Sequence, residues 1–301
     1  IDAYSGMSGL SDTMSPGSIS NLSLSGEIAF RAKFDGELPP KHMLYWRGPV
    51  LSFYDGSTWR AGPRQAKVSL PDTAPGPAFR YSITLEPHNM PWLFVLEMPG
   101  SLPPGAILSH EYQVLSKTPV RSRIRYELKS YPELVQGIDE AAASIDSHLR
   151  LPANNPRTRA LAGQWRRESG GGEAVVRRML EHIRQERFFY TLTPPLLGEN
   201  SIDQFLFETR RGFCEHFASA FVFAMRAAGV PARVVTGYQG GERNPVDGYL
   251  IVRQSDAHAW AEVWLEGRGW LRIDPTAAVA PNRIEAGLAS AVPVGEPLPF
   301  I

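Results

Sequence analysis

Apolar and polar residues alternate along most of the chain up to about residue 130. The clearest run carries an apolar side chain at every second position, namely Phe79, Tyr81, Ile83 and Leu85. A period of two is typical of strands that bury one face. Residues 54–57 lie between two such runs and have the composition of a turn. The pattern predicts a β-rich, sandwich-like domain of antiparallel strands over residues 19–130.

The spacing of apolar residues becomes helical after residue 131. One stripe at helical spacing comprises Val175, Val176, Met179, Leu180 and Ile183. This stripe predicts a helix over residues 173–186. Asn155 and Pro156 predict the start of an earlier helix, because Asn is a common N-cap and Pro suits the first helical position. Strand-like runs return later, so the order of elements predicts an α+β chain whose second domain spans residues 131–285.

The two ends of the chain differ in composition from its middle. Residues 1–18 are rich in Ser, Gly, Asp and Met, and are predicted to form a mobile arm. Residues 286–301 contain several prolines and are predicted to form a tail that leads out of the fold. The chain begins with Ile instead of Met, so we expect a fragment whose flanking sequence holds any targeting or membrane segment. The longest apolar run, residues 217–225, is less than half of a membrane-spanning helix.

The charge and cysteine content restrict the possible functions. With 31 basic and 31 acidic residues, the chain has no net charge to attract nucleic acid or anionic lipid. A single cysteine excludes an intramolecular disulfide and a zinc site built from several thiolates. The sequence has neither the spacing of a calcium loop nor that of a phosphate-binding loop. We therefore expect no metal, no cofactor and no nucleic-acid partner.

The only cysteine, Cys214, lies at the predicted start of a helix. The apolar stripe of this helix includes Ala218, Phe221 and Met225, and the helix is predicted to end at Gly229. Unpaired N–H groups and the positive end of the helix dipole favour a thiolate, which is the nucleophilic form. Taken alone, a cysteine beside Phe213 and Phe217 is more often a small core residue. Cys214 therefore indicates a catalytic nucleophile only together with partner residues that can activate it.

Two downstream strands carry the candidate partners, His258 and Asp274. Alternation places His258, Trp260 and Glu262 on one face of the first strand. A turn at residues 266–269 leads to a second strand, which ends at Asp274. If paired residue numbers in this hairpin have an even sum, His258 and Asp274 share a face; an odd sum separates them unless a bulge intervenes. A carboxylate beside an imidazole is a usual means of activating a cysteine. Individually, His258 also suits a core histidine and Asp274 a turn residue.

Three sequence blocks, in this order, resemble the core of the bacterial transglutaminase-like superfamily: GFCE (212–215), DAHAWAEVW (256–264) and WLRIDPT (270–276). The resemblance covers residues 173–276 and implies a papain- or transglutaminase-like core, with the nucleophile at a helix N-terminus packed on an antiparallel sheet. It also implies a triad of Cys214, His258 and Asp274. Together with the β-rich first half, the chain resembles the soluble region of bacterial inner-membrane proteins that lies in the periplasm between membrane segments.

The resemblance implies acyl transfer through a thioester, from a glutamine carboxamide to a primary amine, on peptides or proteins of the cell envelope. The same triad would serve a cysteine peptidase or amidase, and a non-catalytic scaffold that binds envelope peptides is a third interpretation. Trp260, Tyr238 and Glu215 are candidates for the substrate cleft, although their positions also suit core or structural roles. The backbone N–H of Cys214 is a natural oxyanion donor, and the sequence assigns no second donor.

Overall fold

The computed structural model describes residues 9–63, 68–71, 73–296 and 298. The strands of the first half are β1 (Thr13–Met14), β2 (Ile28–Phe34), β3 (Tyr45–Leu51), β4 (Phe53–Tyr54), β5 (Trp59–Arg60), β6 (Phe79–Leu85), β7 (Trp92–Leu93), β8 (Val95–Leu96), β9 (Ile107–Leu108), β10 (Val114–Leu115) and β11 (Ile124–Ser130). The strands of the second half are β12 (Phe189–Tyr190), β13 (Arg211–Gly212), β14 (Ala232–Gln239), β15 (Glu242–Arg243), β16 (Leu250–Arg253), β17 (Ala257–Leu265) and β18 (Gly269–Ile273).

The α-helices are α1 (Ser18–Leu22), α2 (Ala142–Ser147), α3 (Pro156–Ser169), α4 (Gly172–Gln185), α5 (Ser201–Gln204), α6 (Cys214–Ala227), α7 (Thr276–Val279) and α8 (Pro281–Glu285). One π-helical turn, Phe205–Thr209, follows α5 directly. The predicted start at Pro156 is confirmed, but the Asn155 side chain does not cap α3. Instead, the Asp203 carboxylate accepts hydrogen bonds from the backbone N–H groups of Arg157 and Thr158 at 2.9 and 2.8 Å.

Two five-stranded sheets form the framework, and both contain strands from each half of the chain. The central sheet has the order β18-β17-β14-β3-β8, and the second sheet has the order β11-β6-β2-β16-β15. All neighbours within these two sheets are antiparallel. The predicted α+β class with a β-rich first half is confirmed, whereas the division into domains at residue 130 stays a prediction. Hydrogen bonding crosses that division in both sheets.

Aromatic side chains fill the space between the two sheets. Phe30 of the second sheet packs edge-on against Trp46 and Tyr238 of the central sheet, with ring centroids 5.1 and 5.7 Å apart. Phe94 stacks on Phe30 with centroids 5.6 Å apart. Large rings at facing positions bury much apolar area, which is the main favourable contribution to this packing.

The helix α6 packs against the central sheet over strands β14 and β17. Ala257, Ala259 and Ala261 alternate along β17 and are buried in the same cluster as Phe217 and Phe221 of α6. Small side chains at these strand positions let the helix approach the backbone of β17 closely. This close approach brings the N-terminus of α6 beside the start of β17.

The ends of the described chain pack against the fold. Residues 1–8 of the predicted arm lie outside the described residues, whereas β1 pairs with β5 and Met14 is buried. The tail was predicted to lead out of the fold, and this is wrong as far as Glu296. The Glu296 carboxylate accepts a hydrogen bond from the N–H of Leu192 at 2.7 Å, which brings the chain back to β12. Within the described ranges, no helix is both long and apolar enough to cross a bilayer.

Candidate active site

Cys214 is the first residue of α6 and is completely buried. Phe213 before it has extended backbone, and its N–H donates to Nδ1 of His216 at 3.1 Å. The backbone of Ala259 lies close enough to the Cys214 sulfur to lower the pKa of its thiol. The candidate nucleophile therefore lies against β17 at Ala259, the residue that follows His258 in the sequence.

The predicted thiolate form of Cys214 is wrong for this structure. Burial raises the pKa of the Cys214 thiol well above its usual range, and the neighbouring Glu215 raises it further. The Ala259 backbone opposes this shift and is outweighed. Because the loss of water dominates over the helix N-terminus, Cys214 is a neutral thiol and needs a base to become nucleophilic.

The geometric condition for His258 and Asp274 is confirmed. Strand β17 pairs with β18 in a register that places Ala261 opposite Ile273, which is an even sum. His258 Nε2 and Asp274 Oδ2 are 2.8 Å apart, and both side chains are buried. The other carboxylate oxygen, Oδ1, accepts the backbone N–H of Thr276 at 3.0 Å. The two side chains therefore form an oriented imidazole–carboxylate pair.

The protonation states of this pair follow from its surroundings. Burial alone would raise the pKa of Asp274, but His258 and the hydrogen bonds to the carboxylate lower it overall, so Asp274 is ionised. Burial lowers the pKa of His258 more than Asp274 raises it, so the imidazole is neutral. Nε2 then carries the proton that it donates to Asp274, and Nδ1 has a free lone pair. Nδ1 is buried and has no hydrogen-bond partner among the described residues, Cys214 included.

A fourth side chain, Tyr45 of β3, joins this cluster from the first half of the chain. Its hydroxyl donates to Oδ2 of Asp274 at 2.6 Å, the same oxygen that His258 approaches. Burial, followed by the charge of Asp274, raises the pKa of Tyr45 far above its usual range, so the hydroxyl stays protonated. The Arg272 guanidinium lies 3.9 Å from the centre of the Tyr45 ring and pairs with Glu97 at 3.0 Å. Sequence reasoning missed Tyr45, because 229 positions separate it from Asp274.

Trp260, a predicted cleft residue, lies beside the triad candidates. Its ring is nearly parallel to that of His258, with centroids 6.1 Å apart, and it meets Tyr45 edge-on at 5.2 Å. It also lines a cavity of about 330 Å³. The polar groups lining that cavity include Arg47, Glu97, Glu262 and Arg272. Trp260 thus lies beside the imidazole and also borders the cavity.

A buried ionic cluster borders this cavity through Arg47 and Glu262. Glu262 binds Arg47 at 2.5 and 3.0 Å and Nε of Arg233 at 2.9 Å. Burial would raise the pKa of Glu262, but the two arginines hold it at about 2. The Arg233 guanidinium also lies 3.8 Å from the centre of the Trp270 ring. These contacts fix the face of the central sheet beside His258.

Tyr238, another predicted cleft residue, does not join the cluster of His258, Asp274 and Tyr45. Its hydroxyl donates to Gln254 at 2.6 Å, and its ring packs against Phe30 and Phe94 between the two sheets. The structure therefore gives Tyr238 a packing contact in the core. A role in the cleft stays a prediction.

Glu215, the third cleft candidate, connects α6 to α1. Its buried carboxylate accepts the N–H groups of Gly17, at 2.8 Å, and of Ile19, and the hydroxyl of Ser20 at 3.0 Å. Burial raises the pKa of Glu215 to about 7, although these hydrogen bonds oppose the rise. Helix α1 packs against both α6 and β17. Glu215 therefore holds α1 against the two elements that carry Cys214 and His258.

Gly237 lies opposite His258 in the pairing of β14 with β17. The pairing of β14 with β3 is irregular at the same place, between Val235 and Gly237. A Cβ atom at Gly237 would collide with the backbone carbonyl oxygen of Trp46. Only glycine fits this close approach of two strands. In the part of the chain that the structure describes, no three His, Cys, Asp or Glu side chains are grouped as metal ligands.

Comparison with known proteins matches both halves of the chain to described families. Residues 2–137 match the TgpA N-terminal domain, and residues 159–275 match the transglutaminase-like superfamily. The crystal structure of the periplasmic domain of TgpA from Pseudomonas aeruginosa superposes with a TM-score of 0.91 at 42% identity. That match covers 95% of this chain and 100% of the solved chain.

Two curated relatives are longer than this chain. The protein-glutamine gamma-glutamyltransferase of Pseudomonas aeruginosa is 43% identical over 289 residues, which is 95% of this chain and 43% of the relative. The uncharacterized protein YebA of Bacillus subtilis is 35% identical over 139 residues, which is 44% of this chain and 19% of the relative. The chain thus spans less than half the length of these relatives.

Proposed function

Because this chain belongs to the bacterial transglutaminase-like superfamily, we propose that it transfers acyl groups from glutamine carboxamides to primary amines through a thioester on Cys214. His258 is the general base and general acid of this proposal, and Asp274 orients His258. Peptides or proteins are the proposed acyl donors. The similar protein from Pseudomonas aeruginosa carries the name of this transferase activity, which supports the choice of reaction.

One observation carries the proposal: Nδ1 of His258 has no hydrogen-bond partner among the described residues, while Nε2 lies 2.8 Å from the Asp274 carboxylate. A base in this state can accept a proton from a neighbouring thiol, and the carboxylate stabilises the imidazolium that forms. Cys214 supplies the thiol from the adjacent start of α6, where its sulfur contacts the backbone of Ala259. The two groups are not yet hydrogen-bonded, which is common in sites without substrate.

The proposed reaction has two halves. The thiol proton of Cys214 passes to Nδ1 of His258 as the sulfur attacks the carboxamide carbon and forms the S–C bond. The imidazolium then protonates the leaving nitrogen, the C–N bond breaks, and ammonia departs. In the second half, His258 takes a proton from the incoming amine, which attacks the thioester. The new amide forms, the S–C bond breaks, and the proton returns to Cys214.

The structure requires movement before a substrate can react. Cys214 has no exposed surface, and α1 packs against both elements that carry the reacting groups. A peptide carboxamide must therefore displace covering residues to reach the sulfur. Exclusion of water from the closed site would favour an amine over water as acceptor, since water turns the same thioester into a hydrolysis product.

The proposed location is the periplasm. One solved relative that this chain covers along its whole length is the periplasmic domain of TgpA from Pseudomonas aeruginosa. Both the reaction and the location would place the acyl donors and amine acceptors in the cell envelope.

Incubation of the chain with a glutamine-bearing peptide and a fluorescent primary amine tests the proposal, beside a Cys214→Ala variant. We expect amine incorporation by the wild type and none by the variant, with both proteins equally folded by circular dichroism. Peptide cleavage without incorporation would favour the peptidase alternative. No reaction, together with no labelling of Cys214 by iodoacetamide, would contradict an enzymatic function and favour a peptide-binding scaffold.

A further inference from the structure

Tyr190 is held against the chain segment that enters α6. Strand β12 pairs in parallel with β13, and Tyr190 lies opposite Gly212, two residues before Cys214. The next residue, Thr191, donates its N–H to the carbonyl of Gly212 at 2.9 Å. The Tyr190 ring stacks on Phe213, with centroids 4.8 Å apart and planes inclined by 29°. Backbone pairing and ring stacking together fix this side chain next to the candidate nucleophile.

The hydroxyl of Tyr190 has no hydrogen-bond partner among the described residues, although the side chain is only 4% exposed. The charged or ionisable groups near enough to act on it are Cys214, Arg283 and Asp274. The Thr276 side chain lies close enough to lower the pKa of Tyr190, but the geometry between the two hydroxyls is not that of a hydrogen bond, and the Thr276 hydroxyl is likewise without a partner among the described residues. The unpartnered hydroxyl of Tyr190 therefore lies among the groups of the candidate active site.

A buried hydroxyl without an acceptor is costly. Leaving such a donor unpaired forfeits the hydrogen bond that water would supply in the unfolded chain, and most buried polar groups in folded proteins avoid this. An acceptor that arrives only with the substrate would explain why the cost is tolerated here. Burial, followed by the proximity of Cys214, raises the pKa of Tyr190 well above its usual range. At neutral pH the hydroxyl is consequently protonated and able to donate a hydrogen bond.

We propose that Tyr190 is the second oxyanion donor, acting with the backbone N–H of Cys214. When the sulfur attacks a carbonyl carbon, the C=O electron pair moves onto oxygen, and this oxyanion accepts the two hydrogen bonds. The N–H of Cys214 is available because the first residues of a helix have no intrahelical acceptor. Neither donor loses its proton. The electron pair returns to the carbonyl as the leaving group departs and the thioester forms. The inference rests on the proposed acyl transfer at Cys214.

Two reagents separate this role from other effects of Tyr190. p-Nitrophenyl acetate acylates a thiol through an oxyanion and releases p-nitrophenolate, whereas iodoacetamide alkylates the same sulfur by displacement at a saturated carbon, which forms no oxyanion. Loss of one oxyanion donor typically slows the acyl step by about 10²–10³-fold. We expect Tyr190→Phe to slow acetylation of Cys214 by that factor and to leave the alkylation rate unchanged.

Two further variants serve as controls, with the thermal unfolding midpoint of each measured alongside. Tyr126→Phe removes another buried tyrosine hydroxyl, which donates to the carbonyl of Phe94 at 2.8 Å, and should leave both rates unchanged. Thr276→Val removes the hydroxyl beside Tyr190 and keeps the backbone N–H that binds Asp274. If Tyr190 served only to pair with Thr276, the Tyr190 and Thr276 variants would slow acetylation equally.

Several outcomes would overturn the inference: equal effects of Tyr190→Phe and Thr276→Val on acetylation, an acetylation rate that Tyr190→Phe does not lower, or a parallel loss of alkylation. A wild type acetylated no faster than Cys214→Ala would also overturn it. Failure of the glutamine-to-amine proposal looks different. In that case the wild type reacts with p-nitrophenyl acetate at Cys214 and Tyr190→Phe slows this reaction, yet no amine is incorporated into a glutamine peptide.

Discussion

Substitution of Tyr45 by Phe would test whether the first half of the chain controls the candidate active site. The change removes only the hydroxyl that donates to Oδ2 of Asp274 at 2.6 Å. Phe keeps an aromatic ring for the contacts with Trp260 and Arg272. The carboxylate then retains His258 and the backbone N–H of Thr276 as donors. The perturbation is thus confined to one hydrogen bond of the Asp274 carboxylate.

The expected size follows from the nature of that bond. A buried hydrogen bond to an ionised group contributes about 1.5–3 kcal/mol, which corresponds to a pKa shift of about one to two units. Without the Tyr45 donor, the pKa of Asp274 rises, because its ionised form is less stabilised. The pKa of His258 also rises, because more of the carboxylate charge is available to the imidazolium. The pH dependence of both reactivity and stability should therefore change.

Two measurements report on these shifts. The rate of alkylation of Cys214 by iodoacetamide, followed against pH, depends on the protonation of His258, and its acid limb should move upward by about one unit. The folded-state pKa of Asp274 is lowered in the wild type, so its stabilising contribution is present above the unfolded pKa and is lost as pH falls. Tyr45→Phe should accordingly lower the free energy of unfolding by about 1.5–3 kcal/mol near neutral pH and by less in acid.

Tyr126→Phe is the matched control, since its hydroxyl donates to the neutral backbone carbonyl of Phe94 and not to an ionised group. It should cost about 0.5–1.5 kcal/mol at every pH and leave the alkylation profile unshifted. The reasoning would be refuted if the Tyr45→Phe profile superimposed on that of the wild type. A loss of stability that is equally large in acid and at neutral pH would refute it as well.

Three further substitutions test the frame of the site, each by chemical denaturation. Gly237→Ala should lower the free energy of unfolding by about 1–3 kcal/mol or more, because the added methyl group collides with the neighbouring strand. Gly171→Ala is the control: no atom lies within 4 Å of the added methyl group, so the loss should be far smaller. Burial raises the pKa of Glu215 in the folded chain to about 7, from an ordinary value of 4.5. Its contribution to the free energy of unfolding is therefore fully present below about pH 4.5 and falls by about 3 kcal/mol as the pH rises past 7. Glu215→Gln should remove this pH dependence. Glu262→Gln should cost about 3–5 kcal/mol, because two buried arginines lose their counter-charge; a cost below about 1 kcal/mol would contradict the buried ionic cluster.

The pairing of His258 with Asp274 could be predicted from local patterns. Alternation along two strands joined by a short turn determines which side chains share a face, once the register is known. The start of α6 at Cys214 could be predicted in the same way, because the apolar stripe indicates the helix and Gly229 indicates its end. Such features depend on residues close together in sequence.

The remaining parts of the site depend on contacts between distant segments. Tyr45 reaches Asp274 only because β3 pairs with β14. The spacing of residues in the sequence does not predict that pairing. Tyr190 approaches Cys214 through a two-residue strand, which is too short to give a periodic signal. The protonation of Cys214 was mispredicted for a related reason: the local argument counted the helix dipole, whereas the burial that dominates comes from surrounding elements.

The central claim is that Cys214 carries the acyl group during the reaction. Mass spectrometry of the chain, quenched in acid soon after mixing with a glutamine-bearing peptide and without amine, measures this directly. The account predicts an adduct of the peptide's mass less ammonia, located on the fragment that contains Cys214, lost on later addition of a primary amine and absent from Cys214→Ala. Amine incorporation by the Cys214→Ala variant, or an adduct on another residue, would contradict the account.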